Sequence, residues 1–277
     1  MAKSIETLVP DIYNLFGDDK FLHNTDLFKQ FGLNLENLML SRFNNVRDPT
    51  PRLRMSNIGR PDRQLWYDIN GKHAKEVLTP ATFIKFSYGD LIEEMLLLYA
   101  QLAGHTVERQ QEEVEVDGIK GHIDAVIDGV VVDVKSASSF SFSKFESGDL
   151  YLPGNDPFGY VGQLNGYSYA LGLDKRFLVA DKTLGKLCLS EPKEPYDVPG
   201  RIKHIKQVVA SPTPPPRCYE DKPDGKSGNR KLDTGCSYCP HKFACWPDLK
   251  TYYYSTGPRF FTHVAKEPRV NDFPDAA

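Results

Sequence analysis

The chain has 277 residues, with 40% hydrophobic and 26% charged content. It is long enough to bury one large core and ordinary enough in composition to be globular. A formal net charge of −3 excludes a role built on global basic character, so contact with nucleic acid would need local basic patches or a metal ion. No apolar run is long enough to span a membrane, and the start Met-Ala-Lys-Ser-Ile-Glu-Thr lacks the apolar stretch of a secretory signal. Intracellular residence is the expectation.

Residues 1–48 read as mainly helical. Arg52, Arg54, Arg60 and Arg63 then fall within twelve residues, and Pro61 sits where a helix can begin. Residues 81–103 carry a broad apolar stripe of Leu91, Ile92, Met95, Leu96, Leu98 and Leu102, which predicts a long helix. Glu93 on that helix is a candidate metal-binding carboxylate, with Glu94 an adjacent competitor. Residues 107–116 alternate weakly and predict a strand.

Residues 120–135 are the most informative stretch. Asp128-Gly129 is a two-residue hairpin signal between two β-branched runs. A turn there pairs Ile127 with Val130, sets Asp124 opposite Asp133, and sets His122 opposite Lys135. Side chains alternate with period two, so these four share one face. Opposed Cβ atoms lie ~5 Å apart, and like charges there repel. Two carboxylates that close make sense around a divalent cation, and hard oxygen donors suit Mg²⁺ or Mn²⁺. The Val134 carbonyl is a further candidate ligand. Lys135 can orient a water or stabilise the charge that builds up on an attacked phosphate. The bland alternative is a solvated acidic hairpin, and for His122 a structural role.

Residues 136–150, rich in Ser and Phe, predict a loop. Residues 159–171 predict a helix that puts Gln163 and Tyr167 on one face, where they could meet phosphate or stack on a base. Residues 176–180 and the surroundings of Cys188 predict strands. Ser211-Pro-Thr-Pro-Pro-Pro216 is stiff and extended and marks a boundary. Residues 221–235 predict a loop, and the stretch beyond Gly257 shows little pattern.

Four of the five cysteines cluster late: Cys218, then Cys236-x2-Cys239-x5-Cys245. In a reducing compartment this set favours metal over disulfides, either Zn²⁺ or an iron–sulfur cluster. His241 is a substitute ligand. Cys188 stands apart and reads as a core residue.

Together these residues resemble the PD-(D/E)XK nuclease superfamily, specifically its RecB-like exonuclease branch found in bacteriophages. Gly89 with Glu93 resembles the first motif and Gly121-His-Ile-Asp124 the second. Asp133-Val-Lys135 resembles the third, and Gln163-x-x-x-Tyr167 the fourth. Ser56-x-x-Gly59-x-x-x-Arg63-x-Leu65-Trp66-Tyr67 is similar to the N-terminal stretch of iron–sulfur members, which include the CRISPR-associated exonucleases. The resemblance spans residues 52–247. One departure stands out. Iron–sulfur members carry a cysteine in that N-terminal stretch, where this chain has Pro61, so Cys218 is the expected fourth ligand.

The resemblance implies an α/β fold: a mixed central β-sheet flanked by helices (a restriction-endonuclease-like core) with a small metal-stapled C-terminal module. The expected organisation is an N-terminal helical region over 1–80, the nuclease core over 81–210, the cysteine module over 211–250 and a tail over 251–277. The implied activity is metal-dependent exonucleolytic hydrolysis of single- or double-stranded DNA, in the host cytoplasm for a phage protein. Glu93, Asp124 and Asp133, with the Val134 carbonyl, would bind Mg²⁺ or Mn²⁺, and Lys135 would assist the attacking water. Gln163, Tyr167 and Arg63 would contact DNA. Cys218, Cys236, Cys239 and Cys245 would hold a [4Fe–4S] cluster, with Zn²⁺ as the alternative. A CRISPR-type end-processing nuclease and a non-catalytic DNA-binding protein of the same fold are the competing readings.

Overall fold

The structure is a computed structural model that describes residues 3–17, 24–44, 50–72 and 80–270. In chain order the helices are α1 (Leu8–Asn14), α2 (Thr25–Asn44), α3 (Asp62–Asn70), α4 (Pro80–Leu102), α5 (Ser139–Ser147), α6 (Tyr160–Leu171), α7 (Val198–Ala210), α8 (Thr234–Ser237) and α9 (Lys242–Cys245). The strands are β1 (Val107–Glu108), β2 (Glu113–Val116), β3 (Ile119–His122), β4 (Ala125–Ile127), β5 (Val130–Ala137), β6 (Lys175–Asp181), β7 (Leu187–Ser190), β8 (Lys222–Pro223), β9 (Arg230–Lys231), β10 (Lys250–Tyr254) and β11 (Gly257–His263). The chain divides into two compact units, one of residues 1–59 and 78–202, the other of residues 60–77 and 203–277.

The first unit is an α/β structure on a mixed five-stranded sheet of order β1-β4-β5-β6-β7. β5 and β6 run parallel and the other neighbours antiparallel. β5 is central and almost wholly buried, which is why it reads as an unbroken β-branched run. On one face Val130, Val132 and Val134 pack with Ile127 and Leu178 against Leu8 and Ile12 of α1 and Leu96, Leu97 and Ala100 of α4. Alternation turns Val131, Asp133 and Lys135 to the other face. There α5 sets Phe145 edge-on to Phe177 at 5.3 Å.

The hairpin register is the one the Asp-Gly turn requires: Ile127 faces Val130 and Ala125 faces Val132. Asp128 and Gly129 both have positive φ, 49° and 82°, as a type I′ turn demands. Asp128 is also anchored, since its carboxylate accepts from the Thr106 amide (3.0 Å) and lies 2.6 Å from Nδ1 of buried His105. Two expectations fail here. Residues 139–147 form α5 and not a loop, because Ser138 caps its N-terminus and Gly148 closes its C-terminus in the left-handed region. His122 is not opposite Lys135, because the chain leaves the ladder at Asp124. β3 pairs instead with β2, as a separate ribbon around Asp117-Gly118.

In the second unit β10-β11-β9-β8 form a small antiparallel sheet. The little-patterned stretch beyond Gly257 therefore includes a strand, and short strand pairs interrupt the loop expected over 221–235. α3 belongs to this unit. The Trp66 indole donates to the Ser211 carbonyl, and the Asn70 amide side chain donates to the Val209 carbonyl, each at 2.8 Å. Among the described residues no helix is long and apolar enough to cross a membrane.

Candidate functional site

The site lies where the chain leaves the sheet at Asp124. The amide of Ile123 donates to the Glu112 carbonyl, and the Gln111 amide to the Asp124 carbonyl. The Val134 amide thus loses the partner that a longer ladder would give it. The Asp124 carboxylate takes its place, accepting from Val134 N–H at 2.7 Å. A break in the ladder thereby fixes one acidic side chain beside the next strand. Asp133, fully buried, lies on β5 against the Lys135 ammonium and accepts from Gln163 Nε2 at 3.0 Å.

α4 supplies the third carboxylate. Glu93 shares its surroundings with Asp124, Asp133 and Lys135, and Gln111 donates to it at 2.8 Å. Glu94 faces elsewhere and accepts from Asn34 of α2 at 3.0 Å. The choice the sequence left open between the two acids therefore falls to Glu93.

The electrostatics follow from burial. Desolvation, with Asp124 next, pushes Glu93 up to about 9. Desolvation and then Asp133 push Asp124 up to about 7. Burial also raises Asp133, against the pull of Lys135. Burial disfavours the Lys135 charge, but Asp133 and Asp124 outweigh it and hold its pKa above the ordinary lysine range. Three carboxylates thus surround one ammonium, and a divalent cation would balance the excess negative charge. In charge and donor type the site fits Mg²⁺ or Mn²⁺.

The other expected site residues divide. Gln163 reaches the site, whereas Tyr167 is 2% exposed. It is too buried to stack on a base, and it shares a hydrogen bond with Gln163. It braces the side chain that holds Asp133. His122 is exposed on the β2–β3 ribbon, 3.9 Å from Glu113. Two participants escape the sequence reading. The Lys135 ammonium sits 5.1 Å from the centre of the Tyr160 ring, at the first residue of α6. Gln111 adopts φ 55°, a left-handed conformation that only the fold could reveal.

In the second unit, Cys218, Cys236, Cys239 and Cys245 line one cavity with Pro61, Arg63, Gln64, Tyr67, His241 and Trp246. All four are free thiols. Burial, then the neighbouring Cys245, Cys239 and Cys218, push Cys236 up to about 12. Burial pushes Cys239 up to about 11, against the His241 amide. Four cysteines around one cavity fit a thiolate-bound metal group in donor chemistry. His241 lines the cavity as well, with its Nε2 2.8 Å from Asp68. Arg63, an expected DNA contact, points into this cavity. Cys188 lies on β7, apart from the others. Among the described residues no three His, Cys, Asp or Glu side chains converge, as placed, to hold an ion.

No family model matches the sequence, and no curated protein matches it. Among solved structures, that of SSO0001 aligns with 83% of this chain and 100% of its own, at 17% identity and a TM-score of 0.40. That likeness is too loose to carry an argument.

Proposed function

We propose that this protein is a divalent-metal-dependent deoxyribonuclease of the PD-(D/E)XK type, an exonuclease of the phage RecB-like kind. The reading rests on one observation: half-buried Glu93 and Asp124 share a site with buried Asp133 and with Lys135 at the fork of β4 and β5. Glu93, Asp124 and Asp133, with the Val134 carbonyl, would hold Mg²⁺ or Mn²⁺. The ion, when bound, polarises the phosphodiester and acidifies a water. Lys135 stays charged because Asp133 and Asp124 hold its proton, and it supplies a fixed cation for the charge that develops on the attacked phosphate. Gln163 keeps one Asp133 oxygen in place and Tyr167 keeps Gln163 in place. The four cysteines would hold a [4Fe–4S] cluster as a structural staple. A brown, anaerobically purified protein supports that assignment, and a colourless one with stoichiometric zinc replaces it with Zn²⁺.

End-labelled single- and double-stranded DNA, followed as product length against time, tests the activity. Asp133→Ala and Lys135→Ala are each expected to slow degradation by about 10²–10³-fold. Equal products from wild type and both variants would end the nuclease reading at this site.

A further inference from the structure

We infer that Arg63 is a counter-charge of the cysteine cavity: it holds the Cys245 sulfur and thereby ties α3 to whatever metal group the four cysteines bind. The inference rests on the cysteine site proposed above and is independent of the nuclease chemistry. Each nitrogen of the Arg63 guanidinium is engaged within its own unit. Nε donates to Cys245 Sγ at 3.2 Å. One Nη donates to the Pro215 carbonyl, and the other donates to the Tyr67 hydroxyl at 3.3 Å. The group also lies over the Tyr67 ring, 5.3 Å from its centre.

Arg63 does not act alone. The backbone N–H groups of Arg63 and Gln64, in the first turn of α3, point at the Cys218 sulfur. The His241 N–H points at Cys239. Cys218, Cys239 and Cys245 thus each have an N–H donor. Of the carboxylates near the cavity, Asp62 pairs with His204 and Asp233 with Lys222, while Asp68 meets His241 through one oxygen and its other oxygen is buried without a hydrogen bond, 3.8 Å from Arg60. Four thiolates leave such a site negative whether it holds zinc or an iron–sulfur cube. The half-buried Arg63 guanidinium, with Lys242 also in the cavity lining, and directed N–H···S bonds offset that charge and orient the ligands. The sequence resembles proteins in which a cysteine of this N-terminal stretch joins it to the metal. Here hydrogen bonds from the same stretch do that work, and Cys218 supplies the sulfur.

The test uses full-length protein loaded anaerobically with iron and sulfide, and separately with zinc. Metal release is timed under excess EDTA for wild type, Arg63→Met and Arg63→Lys. Arg63→Met is expected to release its metal about 10- to 100-fold faster than wild type, the usual cost of losing a partner of a ligand. Its iron-loaded form should also show a more negative midpoint potential, because a cation and an N–H···S bond favour the reduced cluster. Arg63→Lys keeps the charge and the stem but not the planar Nε donor. It carries the test if the methionine variant does not fold, with about 10-fold faster release expected. Release at the wild-type rate by the folded variants overturns the role of Arg63 while leaving the cysteine site standing. Wild-type protein that takes up neither iron nor zinc overturns both.

Discussion

Two glycines beside the candidate site residues, Gly121 and Gly89, have different physical reasons to be there. A Cβ on Gly121 would stand 2.4 Å from Met55 Cβ and 2.9 Å from Tyr167 Cε1. One methyl would push the helix that carries Gln163 away from the strand leading to Asp124. Gly121→Ala should cost about 1–3 kcal/mol, read from urea unfolding, and an unchanged midpoint would refute the packing argument. Gly89 lies inside α4, where a Cβ would meet only Ser136 Oγ, at an ordinary 3.5 Å. Gly89→Ala should be tolerated and should gain up to about 1 kcal/mol of helix propensity. A lower thermal midpoint would show that the glycine is needed for another reason. The turn and its first three pairs were legible at this scale, because an Asp-Gly turn fixes the register, but the ladder ends at Ala125 and Val132, so Asp124 does not pair with Asp133 as expected and holds the Val134 amide instead. The choice of Glu93 over Glu94 was not, since adjacent helix positions differ only in what the helix faces. Nor was the burial of Tyr167 or the inward turn of Arg63: spacing says which face a side chain shares, and not what covers it.

At the scale of elements, α6 is positioned by backbone contact. A Cβ on Gly162 would lie 2.5 Å from Gly59 Cα and 2.8 Å from the Tyr196 hydroxyl, and one on Gly59 would lie 2.3 Å from the Gly159 carbonyl oxygen. Segment 55–59 and the start of α6 therefore approach as only glycine permits. Gly162→Ala should destabilise by about 1–3 kcal/mol and should also lower any nuclease rate, because Gln163 is the next residue. A variant that loses stability and keeps full activity would separate α6 packing from the site. Most elements were legible from periodicity and turn residues. α4 and β5 are the clearest, the first from its stripe of leucines and the second from its run of valines. α5 was missed although both its cap signals are present, Ser138 at the start and Gly148 at the end. The β2–β3 ribbon carries its own Asp117-Gly118, with φ 48° and 76°, the same dipeptide as the hairpin beside it.

For the whole molecule, the buried acids tie stability to pH. Glu93 is pushed from 4.5 up to about 9 and Asp124 from 3.8 up to about 7. Between those limits the folded protein holds more protons than the unfolded chain. The contribution of these groups is therefore complete below about pH 4 and is lost as pH rises through 7 and 9. A divalent cation binds the deprotonated form and should offset the loss. Thermal unfolding should show Mg²⁺ raising the midpoint by several degrees at pH 8 and far less at pH 5, with Glu93→Gln flattening the dependence. A magnesium effect equal at both pH values would argue against these carboxylates as the site.

The sequence by itself determined the α/β class, the hairpin and its register, the helix that bears Gln163, and the four-cysteine set. The α/β class came from the resemblance carried by the motifs, and the others depend on local rules: periodicity, turn chemistry and donor type. Tertiary structure alone decided which glutamate joins the aspartates, that Asp124 leaves its ladder to hold the Val134 amide, that Gln111 and Tyr160 flank the site, and that Arg63 faces sulfur. Those outcomes depend on which surfaces meet after long loops close, and burial then sets the charges. No window of neighbouring residues contains that information.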